Sequence, residues 1–185
     1  MGMSCSTTTH STPTIVADRD LCAVNGKLVA GRSFCGETRL ASIISVVSGN
    51  GLVVAMRLTA GEPLARYRVQ VAGIHAPAIH SRDRSEQLAA EVSRDALEEV
   101  VPPGALVHLV LHGTNAEGYE LATASTVQEV GTRTYVAAHN IADRMVERGF
   151  AKPWSGKGPA PTWHATELQV IRLRKKPSKE AELRT

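Results

Sequence analysis

Two apolar runs separated by a glycine-rich tetrapeptide open the readable part of the chain. Ile43, Ile44, Val46 and Val47 lead into Ser48-Gly49-Asn50-Gly51, and Leu52-Val53-Val54-Ala55-Met56 follows. Asn-Gly between two such runs predicts a hairpin with a type I′ turn, whose central residues take positive φ. Tyr67 to Ala72 reads as a third strand ending at Gly73. From Ser85 to Val101 the period changes. Leu88, Ala89, Val92, Ala96, Leu97 and Val100 recur at helical spacing, and Pro102-Pro103-Gly104 stops that helix. Ala105 to His112 and Glu120 to Val127 read as two further strands, separated by the polar loop Gly113 to Tyr119. Thr134 is placed to cap a helix burying Ala138, Ile141, Ala142 and Met145, with Gly149 as its stop. Beyond a Pro- and Gly-rich stretch from Pro153 to Pro161, Thr162 is placed to cap a last helix running toward Lys175.

These elements fit one domain with tails: an extension over residues 1–39, a body over 40–176 and a polar, basic tail over 177–185. Aromatic residues make up only 4% of the chain, so the core has to be built from Val, Leu, Ile and Ala. No apolar run approaches the ~20 residues a membrane-spanning helix needs. Cys5, Cys22 and Cys35 follow no zinc or redox spacing. An odd, unpatterned set implies reduced thiols and a reducing intracellular compartment, the cytoplasm or an organelle such as the mitochondrion.

The net charge of +3 is unevenly distributed. Residues 152–185 carry eight Lys or Arg against three Glu, while residues 1–151 carry thirteen basic side chains against fifteen acidic ones. The cluster Arg172, Arg174, Lys175 and Lys176 is therefore the natural phosphate or nucleic-acid contact, and the body is close to neutral. At the other end, Met-Gly-Met-Ser-Cys-Ser fits a lipidation pattern, with Gly2 as myristoyl acceptor and Cys5 as palmitoylation partner. Membrane association is expected only with that lipidation. His75 and His80 flank Pro77, and His108 and His112 share a strand face about 13 Å apart, too far to share one ion. No third ligand follows either pair, so the four read as structural, and neither a metal nor a cofactor is expected.

Four segments carry a family resemblance. Val69-Gln70-Val71-Ala72-Gly73-Ile74-His75-Ala76-Pro77-Ala78 resembles a strand running into Gly-Ile-Asp-Ala-Pro-Glu. Leu97 to Leu111 is similar to a helix-to-strand junction, and Asn140 to Pro153 to an Asn-x-x-Leu-Val-x-x-Gly-x-Ala-x-Pro signature, carried here by Ile141, Met145, Val146, Gly149, Ala151 and Pro153. With the hairpin at Gly49-Asn50-Gly51, these follow the order of the staphylococcal-nuclease-like (thermonuclease) family over roughly residues 40–175. The resemblance implies a mainly β, α+β fold: an OB-type five-stranded barrel with about three helices.

It also implies where calcium-dependent cleavage chemistry would sit. Such a site needs carboxylates for a hard cation, a base to activate water, and cationic donors for the charge that builds on phosphorus. By the resemblance, the metal carboxylates correspond to Asn50 and His75, the general base to Ala78, and the two arginines to Gln70 and Tyr119. All five positions have changed chemical type. A rebuilt site would have to draw on Arg68, Asp83 and Glu86, whereas a plain reading makes Arg68 a solvated strand residue and the two acids helix-start residues.

The resulting expectation is a catalytically degenerate member, not an enzyme, serving as a structural or adaptor subunit that meets other proteins through its N- and C-terminal extensions. Two alternatives stay open. One is a single-stranded nucleic-acid-binding module, disfavoured by a near-neutral body with few stacking aromatics. The other is a divergent calcium-dependent nuclease with a rebuilt site.

Overall fold

The computed structural model describes residues 34–57, 61–131 and 134–174. Three strands, β1 (Thr38–Ser48), β2 (Gly51–Met56) and β3 (Ala65–Val71), form an antiparallel meander. A two-residue strand β4 (Ile74–His75) leads toward helix α1 (Arg84–Val100). Then come β5 (Leu106–Thr114), β6 (Glu120–Gly131), β7 (Thr134–Asn140), α2 (Ile141–Glu147), the short β8 (Lys152–Pro153) and α3 (Ala165–Leu173). The sheet order is β3-β2-β1-β5-β6-β7, and a parallel pairing of Val69, Gln70 and Val71 with Glu120, Leu121 and Ala122 closes β3 onto β6. Five strands thus form a closed barrel of the OB type, with β7 as an extra strand and, among the described residues, three helices around it.

Period-2 alternation decides what faces inward. Ala41 and Ile43, Leu52, Val54 and Met56, Val69 and Val71, Val107, Leu109 and Leu111, and Ala122 and Ala124 are all buried in one core. The interior is aliphatic, as the scarcity of aromatics requires. Ala89, Val92, Ala96 and Leu97 of α1 join this core, as do Ile141 and Met145 of α2 and Leu168 and Ile171 of α3. Each fully buried Val, Leu or Ile contributes about 1.5–3 kcal/mol by leaving water.

The local signals at α1 act as expected. The Asp83 side chain caps its N-terminus by accepting from the Ser85 N–H at 2.8 Å. Val101, whose backbone leaves the helical region ahead of Pro102, ends it. Gly149 ends α2 with φ +68, donating to the Val146 carbonyl while Phe150 N–H reaches the Met145 carbonyl, a Schellman arrangement.

Four local expectations are corrected. The helix expected from Thr134 is instead strand β7, and α2 begins at Ile141 with Asn140 as its cap, the Asn140 Oδ1 accepting from Ala142 N–H at 2.8 Å. Pairing of Val127, Gln128 and Glu129 with Ala137, Val136 and Tyr135 overrides the helical spacing of the alanines. The last helix starts after His164, not Thr162, with the Glu167 carboxylate accepting the His164 N–H at 2.8 Å. The first hairpin closes through Gly49-Asn50, Ser48 pairing with Gly51, and neither glycine has positive φ. Gly49 is required for space: a Cβ there would lie 2.7 Å from that of Ala76 and 2.8 Å from that of Ser93. Finally, the folded body begins ahead of residue 40. Phe34 packs against the core, and residues 36 and 37 exchange hydrogen bonds with Leu111.

Candidate functional site

Three of the five positions singled out by the resemblance meet at one end of the barrel. The Asn50 carbonyl accepts the Val71 N–H at 2.8 Å, and Gly51 pairs with Gln70. The Gln70 Oε1 accepts from Asn115 Nδ2 at 2.7 Å. Asn115 Oδ1 in turn accepts the N–H groups of Glu117 and Tyr119, each at 3.0 Å, and Asn115 N–H donates to the Tyr119 carbonyl at 2.8 Å. The β5–β6 loop is thereby tied across to β3, with Asn115 as the hub. Sequence reasoning treated Asn115 only as a loop residue. The signal for its role was an Asn three residues before Gly118, which takes φ +80.

The other two positions lie on the segment entering α1. His75 pairs with Lys152 in the β4–β8 ladder, and its ring meets that of Trp154 edge-on, 5.7 Å between centroids. Ala78 N–H donates to Glu86 Oε1 at 3.0 Å, and Ser81 Oγ donates to Glu86 Oε2 at 2.6 Å. Gln87 Nε2 also donates to the Ser81 carbonyl at 2.7 Å. The three candidates for a rebuilt site are therefore committed elsewhere: Asp83 to the helix cap, Glu86 to clamping the loop, and Arg68 to the face of the Tyr119 ring, 5.9 Å from its centroid. Among the described residues, no group of three or more His, Cys, Asp or Glu could hold a metal ion. His80 is exposed, His108 lies opposite Leu40 and Ser125, and His112 Nε2 is 2.8 Å from Thr123 Oγ1.

The basic cluster divides. Arg172 is exposed, whereas Arg174 folds back, its guanidinium hydrogen-bonded to the Arg148 carbonyl and over the Phe150 ring at 5.7 Å. Lys175, Lys176, Gly2 and Cys5 lie outside the described residues. Among the described residues no helix is long and apolar enough to cross a membrane.

Burial pushes the His75 pKa below its ordinary 6.5; Glu86 pulls it upward and Lys152 reinforces the decrease. A histidine with a lowered folded pKa binds its proton less readily folded than unfolded. Its contribution to stability is therefore full above 6.5 and declines as pH falls through 6.5 toward the lower folded value. We expect the thermal midpoint to drop across that window and His75→Gln to flatten the decline, read by thermal melts in a pH series. An unchanged slope in the variant would assign the effect to other groups. The Glu167 carboxylate, lowered mainly by its hydrogen bond from Lys152, acts in a separate window below 4.5.

No protein-family model and no curated protein matches the sequence.

Proposed function

We propose that this chain is a staphylococcal-nuclease-like domain without nuclease chemistry, acting as a structural or adaptor subunit of a larger protein assembly. The observation that carries the reading is the state of the polar groups at the barrel end. Gln70, Asn115 and the Tyr119 backbone bond to one another, and the Glu86 carboxylate holds Ala78 N–H and Ser81 Oγ. A cation site requires carboxylate oxygens converging on open space, and these oxygens instead keep loops in place. In this reading the extensions ahead of the folded body, residues 1–33, and beyond it, residues 177–185, carry contacts to other subunits.

The test is incubation of the full chain with single- and double-stranded DNA and with RNA in the presence of calcium. We expect no cleavage, and no calcium binding by calorimetry. Calcium-dependent cleavage abolished by Asp83→Ala or Glu86→Ala, in variants that circular dichroism shows folded, would establish the rebuilt nuclease site instead.

The single-strand-binding alternative draws on one feature: Arg66 and Arg68 are exposed two residues apart on β3, with Arg68 over the Tyr119 ring. Under the structural reading, such binding is weak and salt-sensitive, because phosphate contacts of this kind are electrostatic. Tight binding at physiological salt that Arg66→Ala and Arg68→Ala abolish would favour the module.

A further inference from the structure

Acidic and basic side chains are segregated in the folded body. Strands β1, β2, β3 and β5 contain no Asp or Glu, yet they carry Arg39, Arg66 and Arg68. Helix α1 alone holds Glu86, Glu91, Asp95, Glu98 and Glu99. The near-neutral balance of the body is therefore a sum over unlike elements, and a sheet face can be cationic within it.

The register of the first three strands lays out such a face. β2 and β3 pair from Gly51 with Gln70 to Met56 with Ala65 without a shift. Leu52, Val54 and Met56 enter the core, so Gly51, Val53 and Ala55 face outward. On β3, Tyr67, Val69 and Val71 pack inward, and Arg66, Arg68 and Gln70 alternate outward. Two irregularities in β1, after Ile43 and after Val46, leave Ile44 and Val47 on the outer side, each 41% exposed. Val47 leans over Gly51, where an added Cβ would come within 2.9 Å of Val47 Cγ2. The small residues of β2 thus lie between an aliphatic rim on β1 and a cationic rim on β3. Arg66 and Arg68 are both exposed, and among the described residues neither is paired with a carboxylate; Arg68 lies over the Tyr119 ring.

We propose that this outer face of β1, β2 and β3 docks an acidic amphipathic helix of a partner protein. Charge complementarity selects the acid, since two arginines face solvent on strands that carry no carboxylate. Dimensions select the helix. Three strands span about 10 Å from first to third, the diameter of a helix with its side chains. Arg66 and Arg68 lie about 7 Å apart along β3, and acids four residues apart on a helix lie about 6 Å apart. A helix running along the strands therefore sets its aliphatic stripe on Ile44, Val47 and Val53 and brings one acid to each arginine. A second copy of the chain fits less well. The same face would oppose arginine to arginine, and α1, although acidic, already buries its apolar stripe of Ala89, Val92, Ala96 and Leu97 in its own core. Single-stranded nucleic acid also fits less well, because bases stack on aromatic side chains and the outward positions of these three strands hold none. The inference deepens the adaptor reading and rests on it for the existence of a protein partner.

The probe is a fluorescein-labelled, lactam-stapled helix with leucine along one face and two glutamates a turn apart on its flank. Its anisotropy is read against the full chain at physiological salt. Binding is expected, and Arg66→Glu with Arg68→Glu is expected to weaken it about tenfold or more while accepting a lysine version of the probe. Ile44→Lys separates docking from bare attraction. It adds a cation, so attraction alone would strengthen binding, whereas loss of the aliphatic rim is expected to weaken it about tenfold. A wild-type chain that ignores the probe overturns the proposal, as does binding that Ile44→Lys leaves unchanged or strengthens. Oligothymidine that binds more tightly than the probe, and is lost with the same two arginines, assigns the face to nucleic acid instead. Should the charge-reversed variant fail to fold by circular dichroism, Arg66→Gln with Arg68→Gln takes its place, and unchanged binding by that variant overturns the site. Absence of probe binding sinks this inference alone, because the cleavage and calcium tests of the adaptor reading do not involve this face.

Discussion

Leu97→Ala is expected to lower the unfolding free energy by about 2–5 kcal/mol. Leu97 is fully buried in α1 and shares a core with barrel strands and with α2 and α3. Truncation removes its transfer free energy and leaves a cavity whose walls come from several elements. Those walls resist collapse: each is anchored by its own ladder or cap, Asp83 at one end of α1 and Pro102 after the other. The loss is read by chemical denaturation, as a lower midpoint with an unchanged slope. A loss below about 1 kcal/mol would mean that the site closes around the smaller side chain and that α1 is held loosely.

Gly49→Ala is expected to cost about 1–3 kcal/mol, an unusual penalty for one methyl group in a hairpin turn. The turn conformation itself accommodates alanine, because the Gly49 φ is not in the left-handed region. The obstacle is the neighbourhood. The new Cβ would meet the Cβ atoms of Ala76 and Ser93, neither of them the far end of a flexible side chain. Ser93 cannot readily retreat, since its Oγ donates to the Phe150 carbonyl at 3.0 Å and is fully buried. One glycine therefore lets the first hairpin, the loop after β4 and α1 approach, and through Ser93 the segment after α2 joins them. A double variant adding Ser93→Gly is expected to recover part of the loss, because it removes one of the two Cβ collisions. Gly49→Ala with wild-type stability would show that the hairpin shifts freely against α1.

The five positions of the resemblance were legible as changes of residue type, but what the present residues do there was not. Glutamine at 70 could face water or a partner; it bonds to Asn115, 45 residues away in sequence, because the closure of β3 onto β6 brings that loop alongside. Glu86 was readable as an acid in the first turn of a helix. Its bonds to Ala78 and Ser81 depend on how the loop after β4 returns across that turn. The first contact is set by chain geometry at long separation and the second by the path of one loop, and residue patterns encode neither.

The apolar runs at 52–56 and 105–111 mark strands by themselves, whereas the barrel decides which side chains face its core, Leu52, Val54 and Met56 in one and Val107, Leu109 and Leu111 in the other. The helical spacing from Leu88 to Leu97 and the glycine at 149 act just as locally, through the turn of a helix and the freedom of a residue without Cβ. β7 belongs to the opposite case. Tyr135, Val136 and Ala137 suit a strand or a helix by composition, and the alanines align with Ile141 and Met145 at helical spacing. Only the tail of β6, extending beyond β5 with its backbone groups unpaired, decides for the strand by supplying a ladder, and Asn140 then releases the chain into α2. Where burial can be satisfied within a few residues the pattern is sufficient; where backbone hydrogen bonds must come from a distant strand, the tertiary structure chooses.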